Sequence, residues 1–295
     1  MNRKMLILSA AMLFASVISV SAAGIADDTN KVDAQGRKQG YWVENLGPTK
    51  WQGMYTDGKK VGVWVSHHYN GLLDEMVEYT NGVRNGIDVN VDVNGYYKSE
   101  KTYKNDTLNG KAVEYFPGGK PSSEIDYKMG KYNGVRKVYY NGGGIEEDGI
   151  YKDGKRNGET KWYYQDGKVA TKYEYTMDML GGEFESYYEN GNILSKGTFK
   201  DNDYDGPYTE FYESGKAKAM GAYKAGKKTG EWKDYNEDNT EITTTKYGKD
   251  GKPEGKPKVE KMKPADDDTK GKDSKDKAAA PTTPATGTTP APAKK

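Results

Sequence analysis

A glycine returns every 24 residues without a slip, at Gly62, Gly86, Gly110, Gly134, Gly158, Gly182, Gly206 and Gly230. A second keeps step with it at Gly71, Gly95, Gly119, Gly143, Gly167, Gly191 and Gly215, and so does an aromatic ring at Tyr79, Tyr103, Tyr127, Tyr151, Tyr175, Phe199, Tyr223 and Tyr247. Three registers with one period exclude compositional bias, so the chain is an array of one supersecondary unit, each copy covering its neighbour. Only 34% of the residues are hydrophobic and 30% are charged, which would leave a compact domain of this size short of core. A repeated sheet that buries mainly tyrosine rings escapes that shortage.

With the opening glycine as position 1, positions 2 to 8 and 11 to 18 are rich in Tyr, Val and Trp, and Asn-Gly, Asp-Gly or Ser-Gly lies between them. Asn94-Gly95, Asp166-Gly167, Asn190-Gly191 and Ser214-Gly215 predict a two-residue type I′ hairpin turn, which needs positive φ at both centres. Units join through a second glycine-rich turn, such as Asp153 to Gly158, too short for a crossover, so consecutive strands are antiparallel neighbours. The expected fold is therefore all-β, an elongated antiparallel meander of about nine 24-residue hairpins. In the register this implies, position 7 faces 12, 5 faces 14 and 3 faces 16. One face then carries positions 3, 7, 12, 16 and 18, exemplified by Phe184, Tyr188, Ile193, Gly197 and Phe199. Phe184 should lie over Gly197 and Tyr208 over Gly221, an aromatic ring on a bare backbone. The opposite, polar face carries a ring at position 6: Tyr115, Tyr139, Tyr163, Tyr187, Phe211 and Tyr235.

Residues 1–23 have the pattern of a secretory signal: Arg3 and Lys4, the apolar run Met5 to Val20, then Ser21-Ala22-Ala23 as the cleavage site. The apolar run is shorter than the ~20 residues that span a bilayer, which disfavours a retained anchor. The expected location is periplasmic or extracellular, with no transmembrane span in the mature chain. Residues 24–39 form a polar, frayed lead-in, residues 40–250 the array, and residues 251–295 a disordered Lys-, Pro-, Ala- and Thr-rich tail, too poor in large apolar side chains to offset ordering. Gly40 to Val61 is a shortened first unit with Gly47-Pro48 in place of Asn-Gly. The unit from Gly230 has Asn239 at the turn position, and both end units are read as caps. There is no cysteine, which excludes disulfides and thiolate chemistry. The 45 basic and 44 acidic residues are interspersed and give no sign of nucleic-acid binding.

The iterated pattern, glycine, four residues, Tyr-Tyr, two residues, glycine, about five residues, then Gly-x-Tyr/Phe-x-x-Gly, is seen at Gly134 to Gly154 and Gly206 to Gly226. It resembles the MORN repeat, and more closely the bacterial MORN variant of proteins labelled YwqK-family antitoxin-like, over roughly Gly36 to Gly251. The resemblance implies an elongated sheet of hairpins used as a scaffold or protein-binding module. MORN proteins have also been linked to lipid binding. The antitoxin label is cytoplasmic in sense and fits an exported chain poorly. The third unit departs from the pattern, with Asp88, Val91 and Asp92 where rings are expected, marking a bend or a weak point.

Singular chemistry is scarce. His67 and His68 are adjacent on a strand and point to opposite faces, in the Tyr-Tyr positions of other units, so a structural role is expected. Asp201-x-Asp203-x-Asp205-Gly206 matches the opening of a calcium loop, but Tyr212 stands where a bidentate Glu is needed and the segment aligns with ordinary inter-unit turns. Trp162-Tyr163-Tyr164 with Gly167 is similar to the aromatic hairpins of choline-binding cell-wall modules, which carry Trp in every repeat where this chain has five in all. No nucleophile elbow, zinc-protease or phosphate-loop motif is present. The expectation is therefore a non-enzymatic exported scaffold, without metal or cofactor, that binds another envelope or secreted protein. The candidate partner-binding residues are the position-6 rings, and the alternative is a cell-wall glycan stacking on them.

Overall fold

The computed structural model describes residues 29–47 and 49–262. The expected signal segment, residues 1–23, and the expected disordered tail from residue 263 lie outside the described residues. Twenty strands form one antiparallel sheet, each paired with the next in sequence, from Lys31–Val32 to Lys258–Lys261. Eighteen of them, Lys38–Leu46 to Glu241–Tyr247, are the nine expected hairpins. Strands are also present at both ends beyond the hairpins. Near the amino-terminal end of the described residues, Lys31 pairs with Gln39 and Val32 with Lys38. Asn30 caps the edge beyond this pairing, accepting from the Val43 N–H (2.7 Å) and donating to the Val43 carbonyl (3.2 Å). At the other end the sheet continues past Gly251, with Lys258–Lys261 closing on Glu241–Thr244.

The two turns of the unit exchange roles relative to expectation. At the Asn-Gly site the Gly191 N–H reaches the Tyr188 carbonyl at 2.9 Å and the Tyr188 N–H reaches the Asn192 carbonyl at 2.8 Å. Only Gly191 has positive φ (92°), so this is a three-residue loop, a turn closed by a left-handed glycine. The two-residue turn with positive φ at both centres is the inter-unit one: Asp153 (52°) and Gly154 (88°), and likewise Met129 and Gly130, Met177 and Asp178, Asp201 and Asn202. Their second N–H groups bond to the strand that left the previous such turn, Gly130 to the Leu108 carbonyl (2.8 Å) and Gly154 to the Tyr132 carbonyl (2.8 Å). That contact between successive turns holds Met129 and Met177 in a conformation their side chains do not favour.

Register follows from the loops. Phe184 pairs with Gly197 and Tyr208 with Gly221, as expected, and Ser186 pairs with Ser195. Next to the loop the ladder slips by one, so Tyr187, not Tyr188, faces Ile193. Position 12 is thereby moved from the core face to the polar face, beside the position-6 ring. A second irregularity falls at the opening glycine: Tyr151 pairs with Arg156 while Gly149 pairs with Thr160. Gly158, at φ 123°, sits in the extra segment. Such bulges bend a strand, and here the bend brings rings at positions 18 and 23 over the ring at position 3. Phe199 lies 4.9 Å and Tyr204 5.4 Å from Phe184, centroid to centroid.

The core is consequently a single row of side chains on one face. Trp64, Phe184 and Trp232 are its most buried rings, at 0%, 2% and 1% exposure. Gly221 lies between Tyr208 and Trp232, its partners on the two flanking strands or one step from them. Positions 5 and 14, which the sequence reading did not place at the centre, are buried by small or polar groups: Ser66, Ser99, Ser186 and Ala219. Position 23 often supplies a cation over the rings, as Lys60 does for Trp64 (3.9 Å) and Lys228 for Trp232 (4.0 Å). In the third unit the ring at position 3 is replaced by Asp88, buried, pairing in register with Lys101 and 3.6 Å from Arg84. Burial pushes its carboxyl above the usual range, with Arg84 and Lys101 opposing. Strand pairing runs through this unit without a break.

Twenty strands at ~4.8 Å each give a sheet up to roughly 95 Å long, whereas a compact domain of this size has a radius of gyration near about 17 Å. X-ray scattering on the mature array should return a value near about 25 Å; a compact value would rule out the open sheet.

Candidate functional site

The six candidate rings are the last residues of their strands: Tyr115, Tyr139, Tyr163, Tyr187, Phe211 and Tyr235 end Thr107–Tyr115, Lys131–Tyr139, Lys155–Tyr163, Met179–Tyr187, Asp203–Phe211 and Lys227–Tyr235. All are half-buried. The ladder slip places an apolar residue beside five of them, in the pairs Tyr115 and Pro121, Tyr139 and Ile145, Tyr163 and Val169, Tyr187 and Ile193, and Phe211 and Ala217, while in the last unit Tyr235 meets Ile242 in unbroken register. Paired residues share a face. The polar face therefore carries a continuous apolar stripe two side chains wide, broader than the single row of rings read from the sequence, with successive rings about 9–10 Å apart.

Hydrogen bonds set the attitude of these rings. The Tyr139 hydroxyl donates to Glu124 Oε1 at 2.9 Å and the Tyr187 hydroxyl to Glu185 Oε2 at 2.6 Å. Glu185 lies two residues before Tyr187 on the same strand face, so the ring leans along the strand instead of standing off it. The Tyr187 hydroxyl is pushed up to about 12, by burial first and then by Glu185. Its partner Glu185 is held low by that hydrogen bond and by Lys172, 3.2 Å away. Burial also raises Tyr163 and Tyr115, aided by Asp148 and Glu100 respectively. These phenols thus remain neutral donors at ordinary pH. Lys196 Nζ lies 5.8 Å from the Phe211 ring centre.

A feature absent from the sequence reading lies along the loop edge. The position-7 hydroxyls of Tyr140, Tyr164, Tyr188 and Tyr212 donate to the position-6 carbonyls of the next unit, Tyr163, Tyr187, Phe211 and Tyr235, at 2.5, 2.6, 2.8 and 2.7 Å. Position 7 is thus a rung between units, not a core ring. The signal for it was the fixed Tyr-Tyr pair. His68 takes the same rung, with Nε2 2.9 Å from the Val91 carbonyl, while His67 is exposed at the strand end. The structural contact is made by His68. Phe116 and Asp92 cannot make the rung by hydroxyl; Asp92 accepts from the Asn94 and Tyr96 N–H groups and holds its own loop.

The calcium-like segment is divided among different tasks. Asp201 and Asn202 are the inter-unit turn, Asp203 opens the next strand, and Asp205 pairs with Lys224 at 3.1 Å and accepts from the Ala225 N–H. Among the described residues, no three His, Asp or Glu side chains converge as metal ligands, and no helix is long and apolar enough to cross a membrane.

No curated protein matches the chain. The family model described as MORN repeat variant matches residues 108–129, 156–176, 180–201 and 204–225. Each match frames one hairpin, beginning just after one inter-unit turn and ending at or beside the next. The units opening at Gly62, Gly86 and Gly134, outside the matched segments, have the same strand lengths and the same two turns, and the two end units differ in their loops. Over residues 108–225 the chain belongs to the MORN repeat variant family.

Proposed function

We propose that the protein is an exported, non-enzymatic scaffold that binds another protein of the cell envelope along the apolar stripe of its polar face. The observation that supports this most is the pairing of each position-6 ring with an apolar residue, at position 12 in five units and at Ile242 in the last. It turns isolated tyrosines into a continuous strip on an otherwise Lys- and Glu-rich surface. Tyr combines large contact area, a hydroxyl donor and few rotatable bonds, which suits interfaces. MORN repeats are themselves suggestive of protein binding. Export rests on the signal-like residues 1–23 and is tested by sequencing the mature amino terminus, expected at Gly24.

Tyr163→Ala combined with Tyr187→Ala is expected to abolish cross-linking to the partner in the native cell while the melting temperature stays within a few degrees of the parent. Capture that survives the double change but is lost on deletion of the tail from residue 263 would move binding to that tail. Retention on a glycan array that the same double change removes would replace the protein partner by a cell-wall glycan.

A further inference from the structure

Two buried side-chain polar atoms among the described residues lack any hydrogen-bond partner, Arg156 Nε and Thr160 Oγ1, and both belong to the strand Lys155–Tyr163. They mark a place on the core face where, among the described residues, two guanidinium groups share a single carboxylate. Arg136 Nη1 lies 2.7 Å and Arg156 Nη2 3.4 Å from the same oxygen, Glu147 Oε1, which also receives the Tyr151 hydroxyl at 3.4 Å. Two cations against one anion leave an excess positive charge in a half-buried setting. Arg156 makes little use of its donors, since a guanidinium carries five N–H groups in a rigid fork and this one has a single long contact to a carboxylate. The rings of Tyr151, Trp162 and Tyr175 surround it at 5.6–5.8 Å. Rings soften the charge but accept no strong hydrogen bond, and an unmade bond at a buried donor is costly. About a third of the Arg156 side chain is exposed (34%, against 24% for Arg136), while its Nε is buried.

The geometry points to an oxyanion-binding site at Arg136 and Arg156, on the face opposite the tyrosine stripe, that takes a phosphate or carboxylate group through the free edge of the Arg156 fork. Planar two-oxygen groups match that fork, which is why Arg is the usual residue for carboxylate and phosphate recognition. Glu147 orients both arginines and at the same time opposes an incoming anion. The site is therefore tuned to weak, exchangeable binding, and removing the Glu147 charge should tighten it.

The test uses the full mature protein, titrated separately with inorganic phosphate and with succinate at constant ionic strength. Melting temperature and the Arg156 Nε–H resonance are followed, since an anion that binds only the folded state stabilises it by mass action. The expected result is a saturable rise with at least one of the two probes, accompanied by a shift of the Arg156 resonance. Glu147→Gln should lower the required concentration severalfold, and Arg156→Gln should abolish the effect. Which probe acts identifies phosphate or carboxylate as the ligand group. If Arg156→Gln fails to fold, Arg156→Lys, which keeps the charge but lacks the fork, should still lose most of the affinity. No saturable response to either probe overturns the proposal, as does a response that is the same in parent, Glu147→Gln and the Arg156 variants.

Discussion

Phe184→Ala is expected to destabilise the protein by about 3–4 kcal/mol, in the range for removing a buried Phe from a packed core, and to do so without changing its secondary-structure content at low temperature. Phe184 is 2% exposed and its ring contacts those of Tyr173, Phe199 and Tyr204 at 5.8, 4.9 and 5.4 Å. It therefore ties its own strand to one strand on one side, through Tyr173, and to two on the other, through Phe199 and Tyr204. Because units touch only their neighbours, the loss should appear in urea titration as a broadened or split transition in which the units around Gly182 melt first. A loss below about 1 kcal/mol would place Phe184 in the ordinary surface range and would mean that the single-layer core is much looser than its burial implies.

Gly221→Ala is the second large effect, expected to cost about 2–3 kcal/mol through overpacking. An added Cβ would lie 2.3 Å from Trp232 Cδ2 and Cε2. Trp232 cannot withdraw easily: it is 1% exposed, Tyr223 abuts it edge-on at 5.0 Å, and its indole N–H donates to the Ala222 carbonyl at 3.0 Å. Gly221 has no positive φ, so the penalty comes from the side-chain clash and not from the backbone. Gly142→Ala is the matched control, since that glycine too lacks positive φ and a Cβ there meets nothing within 4 Å. The control should melt with the parent, and equal melting of both variants would refute the ring-over-glycine packing. Trp232 emission should shift for Gly221→Ala alone.

Much of this architecture was legible because it is local and repeated. A slip of one residue in any strand would carry a whole set of rings to the other face, so the alternation around Phe184 and Tyr208 sufficed to pair position 3 with 16. The candidate site was half legible. The position-6 rings could be put on the polar face by counting from Gly191, but their apolar companions could not, because Ile193 changes face only through the slip that the three-residue loop imposes. The position-7 rungs were hidden for a related reason: the acceptor of the Tyr188 hydroxyl is the Phe211 carbonyl, 23 residues away in sequence.

By itself, the sequence determined the period, the antiparallel order, the number of hairpins and the glycines opposite Phe184 and Tyr208. These depend on spacing, on the absence of a side chain and on connections too short to cross over. The tertiary structure alone decided which turn would take positive φ at both centres, where the strands bend, and that one central unit would hold two arginines against a single glutamate. Met177 has no intrinsic wish for a left-handed backbone; it is held there because the next residue's N–H bonds to the Arg156 carbonyl at 2.9 Å, across two strands. Contacts of that kind come into being only when neighbouring units stack, which no single unit encodes.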